Sequence, residues 1–239
     1  FILKDMEKSV DRTIAAISNK EAIGIFGDYD VDGACSGALL TRFFSAIGRD
    51  VMVYVPDRIA EGYGPNAPAL MKMKEAGVSL VLTVDCGTTA FRPLEEAAGA
   101  GLDVIVVDHH VAEPMLPEAI AIVNPNRLDE TSPVGQLCAA GVTFLLIIAV
   151  NRALRDAFWY GEGHNEPDLM SMLDLVALAT VADVVPLTGV NRALVRQGLS
   201  VMAHRRNAGI AALADVARLD EKPEAWHLGF VLGPRVNAG

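Results

Sequence analysis

The stretch "FGDYDVDGACSGALL", residues 26–40, decides how the whole chain is read. Asp28, Asp30 and Asp32, followed by Gly33, have the spacing that opens a calcium-binding EF-hand loop. Such a loop also needs a bidentate glutamate at its twelfth position. Counting from Asp28, that position is Leu39, which has no oxygen to offer. The residues before the aspartates, "EAIGIFG", are few, apolar and partly β-branched, so they predict a strand where an EF-hand has its entering helix. Three carboxylates at the end of a strand are then either a costly accident or part of another kind of metal site.

Outward from this strand, short apolar runs alternate with longer helical patterns. Strands are predicted at 22–28, 51–55, 80–85, 104–108 and 119–123, with helices at Ala34–Ile47, Pro65–Ala76 and Phe91–Ala100 between them. After Asn124 the pattern turns helical: Val134–Trp159, Leu169–Thr180, Asn191–His204 and Ala208–Ala217. Strands apolar on both faces, separated by helices, predict an α/β fold: a five-stranded parallel sheet covered by helices, followed by a mainly helical C-terminal portion. The expected division is a sheet portion at about 20–125 and a helical portion at about 126–239. The polar loop "YGEGHNEPD", 160–168, is expected on the surface, and no repeat is visible.

Composition narrows the function classes. Of the 239 residues 51% are hydrophobic and 21% charged, which suits a globular chain and excludes a disordered one. The chain begins with Phe1 and closes on "GPRVNAG" with no helix ending or tail, so it reads as a piece of something longer. Its N-terminus, "FILKDMEKSVDR", turns charged too early for a secretory signal. The most apolar window, 137–150, is shorter than the roughly 20 residues of a membrane span and predicts a buried helix. Cys35, Cys86 and Cys138 are odd in number and widely spaced, which fits a reducing cytoplasm and excludes a zinc ribbon. A net charge of −10 argues against a nucleic-acid partner. Carboxylates that hold divalent cations, however, do not repel phosphate.

Three predicted strands end in aspartate: "FGDYDVD", "LTVDCG" and "VIVVDHH". Parallel strands point the same way, so Asp28–Asp32, Asp85 and Asp108–His110 share the carboxyl edge, where open α/β sheets bind ligands. Asp183, in "TVADVVPL", adds a carboxylate in an otherwise apolar turn. Clustered carboxylates are costly to bury without cations. Oxygen ligands with imidazole and no thiolate favour manganese or magnesium over structural zinc. Two such ions about 3.5–4 Å apart, sharing a bridging carboxylate, suit in-line hydrolysis of a phosphate ester. Asp85, on the strand expected between the other two, is the candidate bridge.

The ordered set "GDYDVDG", "VDCG", "VDHH" and "TVADVVPL" resembles the four motifs of the DHH phosphoesterase superfamily. The "GDYDVDG" form is similar to that of RecJ-type single-strand-specific DNA exonucleases, where many other members have a histidine upstream. "YVPDRIAEGYG", "NPN", "LCAAGVTF" and "LGPRVNAG" extend the likeness over the chain from about Glu21. The resemblance implies that Asp30 and Asp32 each bind one metal, that Asp85 bridges both, and that His109 and Asp183 complete the second site. Asp28 is implied as a direct ligand or as a partner of one. His110 is expected to face the scissile phosphate, with Asp108 orienting it. Arg58 is implied to grip a DNA phosphate through its guanidinium. Arg235 and Asn237 are candidates for phosphate contact or for stabilising a turn.

The function implied is a manganese-dependent (or magnesium-dependent) exonuclease domain. It would degrade single-stranded DNA from the 5′ end to mononucleotides, in recombination and repair. Its partners would be the strand and repair or recombination proteins, in the cytoplasm. By the same resemblance a second catalytic-core domain lies outside the chain. Two alternatives stand beside this one: a DHH hydrolase of pyrophosphate, short oligoribonucleotides or cyclic dinucleotides, and a non-catalytic DHH-fold scaffold. Cys86 is expected to pack, His204–Arg206 to complement a helix dipole, and His164 and His227 to lie on the surface. Trp159, Tyr160 and Trp226 are expected to pack rather than to stack on bases.

Overall fold

A computed structural model describes residues 3–161 and 163–238. Phe1, Ile2, Gly239 and Glu162 of the polar loop lie outside the described residues. β1 (Ala22–Gly27) sits inside a parallel sheet with β2 (Val51–Tyr54), β3 (Val78–Val84), β4 (Asp103–Val107) and β5 (Ala121–Val123). The strand order is β2-β1-β3-β4-β5. The order therefore reverses at β1 and β3, and a crevice opens beyond their carboxyl ends.

Register does the rest. Gly27 is level with Val84 and Val84 with Val107; Val107 is level with Val123. Asp28, Asp85, Asp108 and Asn124 are the next residue of each strand, so they stand in one row. Backbone bonds from Asp28, Asp85 and Asp108 to Val84, Val107 and Val123 continue the ladder to that row.

Both faces of the sheet are covered, as the unbroken apolar runs require. α3 (Ala67–Glu75) and α4 (Phe91–Gly99) close one face, where Phe26, Leu70, Met73, Val81, Leu94 and Val106 pack. α2 (Val31–Ala46) and α5 (Ala139–Asp156) close the other over Ile25, Leu82 and Ile105. Each large apolar side chain so buried contributes ~1.5–3 kcal/mol. A 3₁₀ turn (Leu169–Met172) leads into α6 (Leu173–Ala182), and α7 (Gly189–Met202) and α8 (Ala208–Val216) follow. Their buried residues belong to the same core as the α2 face of the sheet, so the sheet and helical portions are packed as one body.

The structure departs from the sequence reading in four places. α1 (Met6–Ser18) precedes the sheet and buries Met6, Val10, Ala16 and Ile17. Its charged surface hid this apolar stripe, and Arg12 pairs with Glu21 at 2.5 Å and Asp103 at 2.6 Å to hold it. α2 starts at Val31 and not Ala34, because Asp30 is its N-cap and accepts from Gly33 N–H at 3.0 Å. The C-terminal stretch is helical: α9 (Ala225–His227), a π-helical turn (Leu228–Leu232) and α10 (Gly233–Asn237). His227 there is buried, not on the surface: Nδ1 accepts from Glu224 N–H and Nε2 bonds Glu221. His164 is exposed and stacks on Trp159, which packs with Tyr160 against the core. Cys86 is buried and free. His204 Nδ1 bonds Ser200 O in the last turn of α7.

Candidate metal centre

The carboxylates arrive from four places. Asp28 and Asp85 extend β1 and β3, Asp30 and Asp32 open α2, and Asp183 is the C-cap of α6. Gly33 makes the first approach possible: a Cβ there would lie 2.5 Å from the Asp28 carbonyl oxygen. Asp85 adopts φ 61° and Val184, beside Asp183, φ 59°. Aspartate tolerates this left-handed region, but a β-branched residue does not, and such strain concentrates at functional sites.

Two constellations result. Ligand atoms of Asp28, Asp30 and Asp85 fall within 4.8 Å of one another, and so do those of Asp32, His109 and Asp183. They meet where His109 Nε2 stands 3.3 Å from Asp85 Oδ1 and 3.7 Å from Asp32 Oδ2. Asp85, His109 and His110 form a third such group, so Asp85 belongs to two of the three. Asp32 is also anchored from behind: Ala139 N–H and Ala140 N–H, at the positive end of α5, donate to its two oxygens at 2.6 and 2.8 Å.

The electrostatics show what these groups lack. Burial pushes Asp28 up to about 6. Burial, then the Asp183 charge, pushes Asp32 up to about 7. Burial and Asp30 raise Asp183 to about 6, and burial with Asp32 and Asp30 raises Asp85 furthest. Asp28 Oδ1, Asp85 Oδ1 and Asp183 Oδ2 are buried and accept no hydrogen bond. Orphaned carboxylate oxygens beside an imidazole fit divalent cations, which neutralise the repulsion and fill the empty lone pairs.

His110 is held differently. Its Nδ1 lies 2.7 Å from Asp108 Oδ1, and that bond raises the imidazole above its ordinary value. Burial alone would push Asp108 up, but the bonds from His110 and Thr88 outweigh it and hold the carboxyl well below the usual range. The Thr88, His109 and His110 N–H groups all donate to Asp108. The His110 side chain is 47% exposed, facing the open side of the centre.

The sequence reading missed four residues around this pair. Asn124 donates to Thr88 Oγ1 and His110 O, and Asn126 donates to His109 O at 2.5 Å. The quoted "NPN" thus clamps the two histidines. Tyr63 OH donates to Asp85 O at 3.0 Å and stands 3.2 Å from His110 Nδ1. Only its neighbours Gly62 and Gly64, both at positive φ, hinted at a shaped loop.

The remaining candidates lie outside the cluster. Arg58 is exposed and its guanidinium sits 5.1 Å from the ring of Tyr29, the residue between Asp28 and Asp30 in the chain. Arg235 is exposed and donates to Val231 O. Asn237 is exposed as well, and its Oδ1 accepts from Val31 N–H at 2.9 Å.

An acidic, imidazole-bearing centre at the switch point of a parallel α/β sheet defines the class of protein. Residues 22–180 match the model of the DHH family, N-terminal domain, and the chain belongs to the DHH family. It is 42% identical to the single-stranded-DNA-specific exonuclease RecJ of Escherichia coli (strain K12), over 99% of this chain and 42% of that protein. Its identity to the RecJ of Bacillus subtilis (strain 168) is 37%, over 100% of this chain and 29% of that one. A crystal structure of exonuclease RecJ bound to manganese superposes with TM-score 0.86 at 34% identity, covering 100% of this chain and 58% of that one. RecJ in complex with Mn2+ from Thermus thermophilus gives 0.81 at 32%, covering 100% and 33%. The chain thus spans about two fifths of the E. coli relative's length. Among the described residues no helix is long and apolar enough to cross a membrane.

Proposed function

We propose that this chain is the DHH catalytic domain of a single-stranded-DNA-specific exonuclease, a phosphodiesterase acting from the 5′ end to release mononucleotides in recombination and repair. The observation that carries the reading is the meeting of the Asp28–Asp30–Asp85 and Asp32–His109–Asp183 groups at one strand edge. The RecJ relatives, similar over nearly the whole chain, supply the substrate class. A second catalytic-core domain of a longer protein would complete the groove over the strand, and the cytoplasm is the compartment that three unpaired cysteines suit.

Two divalent cations, manganese by preference or magnesium, would be held by these six residues, with Asp85 shared; they supply charge neutralisation at the phosphodiester and activation of water. The protein's own groups do the positioning. His110, its Nδ1–H committed to Asp108, holds a second proton at Nε2 for a phosphate oxygen or the departing oxygen. Arg58, against the ring of Tyr29, would offer a fork suited to phosphate, and Arg235 would meet the backbone further out.

The test compares Mn2+-dependent hydrolysis of 5′-labelled single strands, duplex DNA, pyrophosphate and a cyclic dinucleotide. Release of labelled mononucleotide from the single strand, with little turnover of the others, is expected. Turnover confined to the small phosphates would overturn the exonuclease reading and leave the metal centre intact.

A further inference from the structure

α10 joins two parts of the centre that lie far apart in the chain. Asn237 Oδ1 accepts the Val31 N–H at 2.9 Å across 206 residues. Val31 stands between Asp30 and Asp32 and opens α2, so its N–H has no acceptor within that helix. Asp30 satisfies Gly33 N–H, and Asn237 satisfies Val31. The other end of α10 rests on the end of α6. A Cβ at Gly233 would meet Ala182 Cβ at 3.0 Å and Leu228 O at 2.8 Å, and Ala182 precedes Asp183. Glycine is therefore required for this close approach. It follows directly on the π-helical turn Leu228–Leu232, a feature common at functional sites.

One five-residue helix thus spans from the neighbour of Asp183 to the residue between Asp30 and Asp32. Asp32 and Asp183 carry like charge and share a constellation with His109. α2 and α6 pack on each other in the shared core, and α10 adds a bridge between the two ends that carry these like charges. We propose that α10 is a clamp that sets this separation, and that Asn237 is a positioning residue for the cation site formed there. The inference rests on the metal-centre reading, and it gives Asn237 an intramolecular hydrogen-bonding role in place of contact with phosphate.

The experiment pairs Mn2+ titration calorimetry with hydrogen exchange of the Val31 amide, on the parent chain, Asn237→Ala and Asn237→Asp. Asn237→Ala should speed Val31 exchange at least ~10-fold and weaken one Mn2+ site by roughly 10–100-fold, the usual effect of losing a group that orients metal ligands. Asn237→Asp keeps an acceptor and should restore both slow exchange and Mn2+ affinity. A parent that binds two ions beside an Asn237→Ala chain within two-fold of it overturns the clamp and spares the metal centre. Weakened binding of a single strand with unchanged Mn2+ affinity in Asn237→Ala likewise overturns it, in favour of phosphate contact. A parent that binds no Mn2+ overturns the metal centre and the clamp together.

Discussion

His109 Nε2 lies 3.3 Å from Asp85 Oδ1, joining the loop after β4 to the end of β3. Asp85 is the most strongly raised carboxyl of the centre and belongs to two of its three ligand groups. Its ionised form is the one the surrounding burial and like charges oppose most, and divalent cations would relieve that opposition.

Asp85→Asn should therefore trade binding for stability. In the parent, Mn2+ at 100 times its Kd contributes ~2.7 kcal/mol, which for a chain of this size raises Tm by roughly 5–10 °C. The variant should show a higher Tm than the parent in EDTA, by a few degrees, and little response to Mn2+. Thermal unfolding with and without Mn2+ reads both numbers. A variant that keeps the parent's full Mn2+ shift would count against the shared-ligand assignment.

His110→Ala should separate chemistry from metal binding. The ring is fixed by Asp108 and Tyr63 and stands on the open side of the centre. Its loss should lower strand hydrolysis by ~10²–10⁴-fold, the usual range for a group that transfers a proton. The Mn2+-induced Tm shift should stay near the parent's. Equal loss of both would make His110 a ligand instead.

Gly33→Ala tests the approach of α2 to β1. Its Cβ would meet the Asp28 carbonyl oxygen at 2.5 Å and Cα at 2.8 Å, all backbone atoms that cannot rotate away. Overpacking of this kind costs ~1–3 kcal/mol, and the Asp28–Asp30 geometry should go with it. Denaturant titration should show a lower midpoint, and calorimetry a weaker Mn2+ response. An unchanged midpoint would mean that the loop has more room than its backbone shows.

A pH-dependent stability term is expected outside the ligand cluster. Asp5 is bonded by Lys8 at 2.9 Å and Arg127 at 2.6 Å, and it accepts from Ile122 N–H. Burial raises its carboxyl, but these partners outweigh burial and bring it below the ordinary value. A depressed folded pKa stabilises above the unfolded value and ceases to do so as pH falls through the folded one. Asp5→Asn should thus cost about 1 kcal/mol at pH 7. The gap to the parent should close progressively below about pH 4. A gap that persists at about pH 2.5, well under the ordinary carboxylate range, would show the loss to be one of packing and not of charge.

Much of the placement of the centre's residues was legible in the sequence because several of its carboxylates follow apolar runs. Each strand announces itself by a short β-branched or apolar run, and Asp28, Asp85 and Asp108 each come immediately after one. Parallel pairing then places them side by side, so the row needed no knowledge of distant contacts. α1 was missed because its charged face broke the apolar signal, and α2 began early because Asp30 turned from loop residue to N-cap. Tyr63, Asn124, Asn126 and Asn237 carried no periodic signal at all.

The sequence by itself determined the five strands, their parallel direction and the aspartates at their carboxyl ends, since local hydrophobic pattern and chain direction suffice for those. Tertiary structure alone decided which oxygens are orphaned, that Asp32 rests on the N-terminus of α5, and that Asn237 reaches Val31. The last two facts depend on the packing of segments more than a hundred residues apart, and residues so separated leave no mark on one another in the local pattern of the chain.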